Sequence, residues 1–360
     1  MYIQRLFIQN LRNIGWLEIQ PSSGINLIYG PNGAGKTSLL EAISYLALGR
    51  SFRSSKFHNL ISTGKNDFIV SAQVLDENNL ESTLGVSRGR KRDNDLQISI
   101  NKKRANRLTD LVDKICVQVI HPQSVELVTG SPELRRHFID WGVYYSNKDY
   151  KDIWSQYRKI LLQRNALLKN KAAFDEIIIW DDLLCNLAEK ITDLRTKYLD
   201  SFNQIFREKT QEFLPGFDIT CSLSKGWENQ TDLRSLLGLN LEKDRLLGYT
   251  FYGCHRADLK IKSSQLSASE TLSRGQLKLL VCAMKLSQGS LLFKQTGRKC
   301  IYLIDDLTSE LDPNSRSLLL KELSCFSNQV FITNIAGDIE LPSHNNILRL
   351  DISKSIQVSA

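Results

Sequence analysis

The sequence lacks the features that mark membrane-embedded and secreted proteins. No run approaches the roughly eighteen consecutive apolar residues that a membrane-spanning helix requires. The first residues, Met1–Arg5, lead into an alternating pattern and lack the charged and apolar regions of a signal peptide. We therefore expect a cytoplasmic protein with no membrane partner.

Closely spaced cysteines are absent as well. The 7 cysteines include no CxxC pair that could hold zinc, and they do not form the even framework that small secreted domains use. We expect them to be core thiols in a reducing compartment. They are Cys116, Cys185, Cys221, Cys254, Cys282, Cys300 and Cys325.

What the sequence does contain is ample apolar material and an excess of positive charge. Hydrophobic residues make up 42% of the 360 residues, which suffices for one large or two ordinary domains and excludes a disordered chain. The 47 lysines and arginines outnumber the 39 acidic residues and give a formal charge of +8. This excess favours polyanionic partners through counterion release from phosphates, although solubility alone would also explain it.

A glycine-rich loop carries the clearest motif. Residues 30–37 match the P-loop pattern GxxxxGK[ST], with an apolar strand before them and a periodic helix (37–48) after them. In such a loop the backbone N–H groups and the helix N-terminus face phosphate, Lys36 reaches the β- and γ-phosphates, and the Thr37 hydroxyl ligates Mg²⁺. The predicted ATP-binding residues are Gly30, Pro31, Asn32, Gly33, Ala34, Gly35, Lys36, Thr37 and Ser38.

An apolar strand at 301–304 ends in two acidic residues, which is the pattern of a Walker B motif. A buried parallel strand delivers its last carboxylate to the phosphate end of the sheet, so Asp305 is predicted to hold Mg²⁺. Asp306 is predicted to polarise the attacking water. Because Asp306 is one methylene shorter than the glutamate of transporter ATPases, we expect slow hydrolysis, at or below about 1 s⁻¹. Alone, these acids could equally cap the next helix.

A third element distinguishes ABC-type ATPases from other P-loop proteins. The segment 272–276, Leu-Ser-Arg-Gly-Gln, resembles their LSGGQ signature with arginine in place of one glycine, and it opens an apolar-periodic helix. In that class Ser273, Gly275 and Gln276 would contact ATP held by a second copy, so hydrolysis requires a homodimer. The segment 309–312 resembles the D-loop of that interface, while Thr333 stands where transporter ATPases carry a switch histidine.

The pattern along the chain predicts an α/β fold, with an ABC-type P-loop ATPase head, a flanking antiparallel β-meander and an inserted helical subdomain. We assign residues 1–130 to the first half of the head, 131–245 to the helical subdomain and 246–360 to the second half. Two long helices are expected to join near 171–179, and a polar connection is expected at 231–248. Two strands, 347–351 and 355–359, are predicted to end the chain.

Several further segments resemble the RecF family, and together with the ATPase motifs they extend over essentially the whole chain. They are Leu-Arg-Asn (11–13), Leu-Leu-Glu-Ala-Ile (39–43), Gly-Arg-Ser-Phe-Arg (49–53), Gly-Ser-Pro (130–132), Arg-Arg-His-Phe-Ile-Asp (135–140), Tyr-Arg-Lys-Ile-Leu-Leu-Gln-Arg-Asn (157–165), Gly-Cys-His-Arg-Ala-Asp-Leu (253–259) and Ser-Glu-Leu-Asp (309–312). At residue 254 the chain has cysteine where the family usually has proline.

The resemblance implies an ATPase that dimerises with ATP on double-stranded or gapped DNA. It implies work with RecR- and RecO-type mediators to load the RecA recombinase, support of the SOS response, and a nucleoid-associated location. It also suggests Gln123 as the Q-loop residue near Mg²⁺, with Gln118 as an alternative. Arg53, Lys56 and Arg256 are candidate DNA contacts, although a solvated surface or internal ion pairs would also explain them.

A soluble ATPase subunit of a membrane transporter is the alternative function. The helical segment after residue 130 and the missing switch histidine argue against it.

Overall fold

The computed structural model describes residues 1–54, 56–90, 96–105, 107–228, 230–306, 311–325, 328–342 and 346–355. The chain divides into two compact units. The first unit comprises residues 1–124 and 296–360, and the second comprises residues 125–295. The second unit is therefore an insertion in the first. The domain boundaries at 130 and 245 stay predictions, and the inserted unit extends to residue 295 and so includes the predicted signature segment.

The elements are numbered in chain order over both units. The strands of the first unit are β1 (Tyr2–Leu11), β2 (Ile14–Ile19), β3 (Ile25–Tyr29), β4 (Asp67–Leu75), β5 (Glu81–Gly89), β6 (Leu96–Ile100), β7 (Lys103–Ala105), β8 (Val117–Ile120), β12 (Ile301–Ile304), β13 (Val330–Asn334) and β14 (Ile347–Asp351). Its helices are α1 (Lys36–Leu48), α2 (Thr109–Val112), α12 (Pro313–Cys325) and α13 (Ile352–Ser355).

One sheet of the first unit is antiparallel, in the order β2-β1-β4-β5-β6-β7. Along β4 the buried residues Phe68, Val70, Ala72 and Val74 alternate with partly exposed ones. This period of two places one face of the strand on the core. The predicted β-meander is thus confirmed.

The other sheet is parallel, in the order β14-β3-β13-β12-β8. All four residues of β12 and the first four of β3 are buried. Continuous apolar runs are typical of parallel strands that are covered on both faces. Because β3, β13 and β12 are parallel neighbours, the residues that follow them meet at one edge of the sheet. Of the two predicted terminal strands, β14 is present; Ser355 ends α13, and residues 356–360 lie outside the described residues.

The second unit is mainly helical. Its helices are α3 (Glu126–Thr129), α4 (Pro132–Ser146), α5 (Tyr150–Lys169), α6 (Phe174–Ile178), α7 (Asp181–Phe213), α8 (Leu233–Leu239), α9 (Leu241–Leu247), α10 (Ala268–Thr271) and α11 (Arg274–Thr296), the last residue of which belongs to the first unit. A small antiparallel sheet is formed by β9 (Ile219–Ser224), β10 (Asp258–Ser263) and β11 (Leu266–Ser267).

The two predicted long helices are α5 and α7, which pack together and are joined through α6. In α7 the buried residues Leu184, Leu187 and Ile191 recur every three or four positions, as expected for one apolar face. The segment predicted as a polar connection contains α8 and α9 instead of loop alone. Their leucines, such as Leu237 and Leu241, are buried in the second unit.

A buried ion network joins three helices of the second unit. Arg164 of α5, which is fully buried, donates from Nε to Asp181 Oδ1 of α7 at 2.7 Å and from Nη1 to Asp244 Oδ2 of α9 at 2.8 Å. Arg234 of α8 lies 3.0 Å from the second oxygen of Asp181. Burial raises the pKa of Asp244, while the hydrogen bonds from Arg164 and from the backbone N–H of Phe251 oppose that rise. The network therefore holds charged groups that water does not reach.

The described cysteine side chains fit the prediction of core thiols. Cys116, Cys185, Cys221, Cys254, Cys282 and Cys300 are buried and free. None of the helices in the described part of the chain combines the length and apolar character needed to cross a bilayer.

Candidate nucleotide-binding site

The glycine-rich loop lies between β3 and α1, at the carboxyl edge of the parallel sheet. Gly30, Gly33 and Gly35 have φ angles of 146°, 80° and 104°, which residues with side chains rarely adopt. The Lys36 ammonium donates to the carbonyl oxygens of Gly30 at 2.7 Å and Pro31 at 3.0 Å. The lysine is thereby folded back over the loop. Burial lowers its pKa, and the charges of Asp306 and Asp305 oppose that change.

Asp305 follows β12 and faces the loop across β13. Its Oδ1 accepts hydrogen bonds from the hydroxyls of Thr37 at 2.8 Å and Thr333 at 2.9 Å. Burial raises the pKa of Asp305, and the two hydroxyls and the charge of Arg53 oppose this rise. The structure therefore brings together a lysine, a hydroxyl and a carboxylate that stand far apart in the sequence.

Asp306 differs from Asp305 in both exposure and backbone conformation. Its side chain is exposed, and its φ of 53° lies in the left-handed region. Its backbone N–H donates to the Thr333 hydroxyl at 3.0 Å. Asp306 thus lies at the rim of the site, where water has access.

These residues line a cleft of about 670 Å³ in the first unit. Its other walls contain residues that the sequence analysis did not assign to the site. They are Arg12, Asn13, Asn59, Ile61, Ser62 and Thr63. A larger cleft of about 930 Å³ lies between α12 and residues 334–342, but neither the glycine-rich loop nor the acidic pair lines it. We place the site by its chemistry rather than by volume.

Asn13 braces the glycine-rich loop from outside. Its Nδ2 donates to the Gly33 carbonyl at 2.6 Å, and its Oδ1 accepts from the Ser38 hydroxyl at 2.8 Å. The Leu-Arg-Asn segment at 11–13 was the available sequence signal, but only the tertiary structure shows what it contacts.

Glu41, one turn into α1, organises a second wall of the cleft. This fully buried carboxylate accepts from Arg12 Nε at 3.0 Å and Nη2 at 2.9 Å, and also from the Ser51 hydroxyl. Ser51 in turn accepts from the backbone N–H of Arg53 at 2.9 Å. Arg53, predicted as a DNA contact, consequently lines the nucleotide cleft.

Two other predicted residues are not part of this cleft. Gln123 is exposed, and its Oε1 lies 2.9 Å from His121 Nδ1. The alternative, Gln118, is buried within β8. Lys56 is exposed on the segment before residues 57–60. None of the three is among the residues that line the cleft.

The predicted signature segment begins α11 in the second unit. The Ser273 hydroxyl accepts from the Gln276 N–H at 3.3 Å, and Gln276 Oε1 accepts from the Ser273 N–H at 2.8 Å. This reciprocal pair is a capping box. Gly275 is exposed, and a side chain there would meet nothing within 4 Å. The helix N-terminus is therefore open to an approaching ligand. In the predicted D-loop, Ser309 and Glu310 lie outside the described residues.

Arg256 belongs to a tightly held loop of the second unit. Arg195, almost fully buried in α7, donates to both carboxylate oxygens of Asp140 and to the Cys254 carbonyl at 2.7 Å. Tyr157 Oη lies 2.6 Å from His255 Nδ1, and burial lowers the pKa of His255 to about 4. Arg256 itself is exposed, with its guanidinium 5.0 Å from the Tyr249 ring centroid.

The sequence resembles known proteins over most of its length. The family described as the RecF/RecN/SMC N terminal domain matches residues 2–348. The DNA replication and repair protein RecF of Shewanella denitrificans is 42% identical over 335 residues, which are 93% of this chain and 92% of that protein. The protein of the same name from Aliivibrio salmonicida is 41% identical over 338 residues, 94% of each chain.

Solved structures give the same result. The recombination mediator protein RecF with ATP, from the RecFOR pathway, has a TM-score of 0.86 and 28% identity over 94% of this chain and 93% of that chain. An Smc head bound to the C-winged helix domain of ScpA has a TM-score of 0.57 at 16% identity, and covers 93% of this chain and 90% of that chain, so it shows the fold alone.

The fold and the site together define the head of an ABC-type ATPase with an inserted unit. The predicted fold class is therefore confirmed. With relatives more than 40% identical over nine-tenths of its length, the chain belongs to the RecF family of DNA replication and repair proteins. The alternative, a subunit of a membrane transporter, is not favoured.

Proposed function

We propose that the chain is an ATP-operated switch in DNA replication and recombinational repair. ATP closes two copies over DNA, and slow hydrolysis releases them. The observation that carries the proposal is the convergence of Lys36, Thr37 and Asp305 on one cleft beside the glycine-rich loop. A family relative has been solved with ATP, which supports the choice of nucleotide.

Each residue at the phosphate end has a specific task in this proposal. Lys36 exchanges its contacts with the loop carbonyls for the β- and γ-phosphates, while the loop N–H groups bind the phosphate oxygens. Asp306, at the exposed rim, orients and polarises the attacking water. Arg53 is now assigned to the phosphates, because it lines the same cleft and acts on Asp305. Gln123 keeps its proposed Q-loop role only if it moves toward the cleft.

The oxygens of Thr37 and Asp305 fit Mg²⁺, which prefers oxygen ligands and commonly retains water and phosphate. Among the described residues no three histidine, cysteine or carboxylate side chains gather into a metal site. The remaining ligands would therefore come from nucleotide and water. When bound, the cation neutralises charge that develops on the phosphates.

The nucleoside end of the cleft is assigned to Ser62, Thr63 and Arg12. Ser62 is 1% exposed, and its hydroxyl makes no hydrogen bond with any of the described residues. A buried hydroxyl without a partner is costly, so a polar group of the ligand would satisfy it.

Dimerisation rests on the signature segment. The open N-terminus of α11, with Ser273 and Gly275 exposed, suits the γ-phosphate of ATP held by a second copy. Hydrolysis would then occur only in the dimer, at or below about 1 s⁻¹.

The test is sizing chromatography with light scattering, in the presence of ATP, ADP or no nucleotide, with and without a gapped duplex. We expect a dimer with ATP only. Ser273→Arg should bind ATP with unchanged affinity yet remain monomeric, because its side chain blocks the helix N-terminus and breaks the capping box. Ser155→Arg, at an exposed position of α5, is the matched control and should dimerise. A wild-type chain that stays monomeric with ATP and DNA at every concentration would defeat the proposal.

For DNA, the proposed contacts are Lys56 and Arg256, both exposed cations. The loop around Arg256 is fixed by Arg195 and Tyr157, so the guanidinium can meet a phosphate at little entropic cost. Gly226 lets a neighbouring loop pass close by, since a Cβ there would lie 2.3 Å from the Gly253 carbonyl oxygen.

Arg256→Glu should weaken binding to duplex DNA at least about tenfold for every sequence, and it should reduce the slope of log K against log salt by about 1. Arg207→Glu, on an exposed position of α7, makes the same change in net charge and should have little effect. The measurement is fluorescence anisotropy at several salt concentrations. Equal losses in both variants would show that net charge, not this loop, matters.

We extend the proposal to the partners that the family suggests. These are RecR- and RecO-type mediators, with loading of RecA at gapped DNA and support of the SOS response as the outcome, in a nucleoid-associated cytoplasmic protein. The RecFOR pathway of the solved relative supports the choice of mediators.

A further inference from the structure

Thr333 lies between the two strands that carry the phosphate-binding chemistry. It belongs to β13, where it pairs with Ile28 of β3, the strand that leads into the glycine-rich loop. On the other side, β13 pairs with β12, which ends immediately before Asp305. Thr333 is 1% exposed, so its hydroxyl is a buried polar group at the centre of the site.

The hydroxyl makes two hydrogen bonds with opposite roles. It donates to Asp305 Oδ1 at 2.9 Å and accepts from the backbone N–H of Asp306 at 3.0 Å. A hydroxyl has a single proton and the N–H can only donate, so this assignment is forced. One oxygen atom therefore links the side chain of the first acid to the backbone of the second.

Both ends of this link are groups that need to be held. Asp306 has a φ of 53°, a conformation that is unfavourable for a residue with a side chain, and its N–H bond to Thr333 is a contact that maintains it. Asp305 accepts both of its side-chain hydrogen bonds at Oδ1, from Thr37 and Thr333. Its Oδ2 makes no hydrogen bond within the described residues and is left for a cation or water.

We propose that Thr333 is a positioning residue for this ATPase site. It turns the Asp305 carboxylate so that Oδ2 is offered to the cation, and it fixes the backbone of Asp306 so that this side chain stays at the rim of the cleft. The inference rests on the proposed ATPase function. The position that carries a histidine in transporter ATPases here serves the acidic pair.

The test compares Thr333→Val, which removes the hydroxyl at nearly constant volume, with Thr333→Ser, which retains it. Binding of a fluorescent ATP analogue is measured in EDTA and then during titration with Mg²⁺, and hydrolysis is measured separately. In EDTA all variants should bind alike. The valine variant should need at least about tenfold more Mg²⁺ to reach half of the Mg²⁺-dependent signal, since it loses a hydrogen bond to a charged group. It should also hydrolyse ATP at least about tenfold more slowly, and serine should restore both properties.

Thr210→Val is the matched control, because Thr210 is also buried but its hydroxyl bonds only to backbone carbonyls of its own helix, α7. It should leave the Mg²⁺ requirement unchanged. If Thr333→Val keeps the wild-type Mg²⁺ requirement and rate, or if serine is as impaired as valine, the inference is wrong while the proposed function stands. If the wild-type chain fails to bind the analogue at all, the proposed function and this inference both fail.

Discussion

Lys36→Ala is expected to weaken ATP binding at least about a hundredfold and to abolish ATP-dependent dimerisation. The Lys36 ammonium already lies over the glycine-rich loop, 2.7 Å from the Gly30 carbonyl oxygen. Each hydrogen bond from this cation to a phosphate is worth about 1.5–3 kcal/mol, and two of them correspond to roughly a hundredfold or more in affinity. Without the cation, the phosphates would also face Asp305 and Asp306 with less compensating charge.

The measurement is equilibrium binding of labelled ATP, with dimerisation followed by light scattering. Lys159→Ala, at an exposed position of α5, removes a lysine without touching the cleft and should behave as wild type. Thermal denaturation without nucleotide shows whether the Lys36 variant is folded. A folded variant with wild-type ATP affinity would exclude the glycine-rich loop as the phosphate site.

Arg164→Leu is expected to destabilise the second unit by about 3–5 kcal/mol. Leucine leaves the fully buried carboxylates of Asp181 and Asp244 without the guanidinium that lies 2.7 and 2.8 Å from them. A buried charge without its partner costs several kcal/mol, and here two such charges would remain. The Thr250 hydroxyl, which lies 2.8 Å from Arg164 Nη1, would lose a partner as well.

Urea unfolding, followed by tryptophan fluorescence, measures this effect, since Trp154 and Trp180 are in the second unit. Arg158→Leu, at an exposed position of the same helix, is the control and should change stability by less than about 0.5 kcal/mol. The triple variant Arg164→Leu, Asp181→Asn, Asp244→Asn should be less destabilised than Arg164→Leu alone, because no carboxylate is left without its partner. A loss below about 1 kcal/mol for Arg164→Leu would contradict the buried-network account.

Motifs that are continuous in sequence were predictable because their geometry is local. The left-handed glycines, the following helix and the lysine at its start are set by neighbouring residues, so Gly30–Thr37 could be interpreted directly. The Walker B pattern was also predictable, since a fully buried parallel strand must be apolar. Periodicity likewise predicted α5 and α7.

Residues whose importance depends on distant partners could not be recognised in this way. Glu41 resembles any helical glutamate in the sequence, yet it is fully buried and holds Arg12 and Ser51. Arg53 was predicted to face DNA because nothing local indicated that the loop after α1 returns to the cleft. Arg164 lies in a helix of mixed polarity and gives no signal of burial. Gln123 stays a prediction, because the spacing that suggested it does not bring it to the cleft.

The sequence by itself determined the ATPase class, the phosphate-binding loop and the acidic pair, because runs of neighbouring residues specify backbone geometry and strand burial. The tertiary structure alone decided which hydroxyl holds the acids, which arginine enters the cleft and which charges are buried. Those features depend on strands and helices that are adjacent in space but up to 268 residues apart, as Thr37 and Asp305 are. Only the folding of the sheet brings such groups within hydrogen-bond distance.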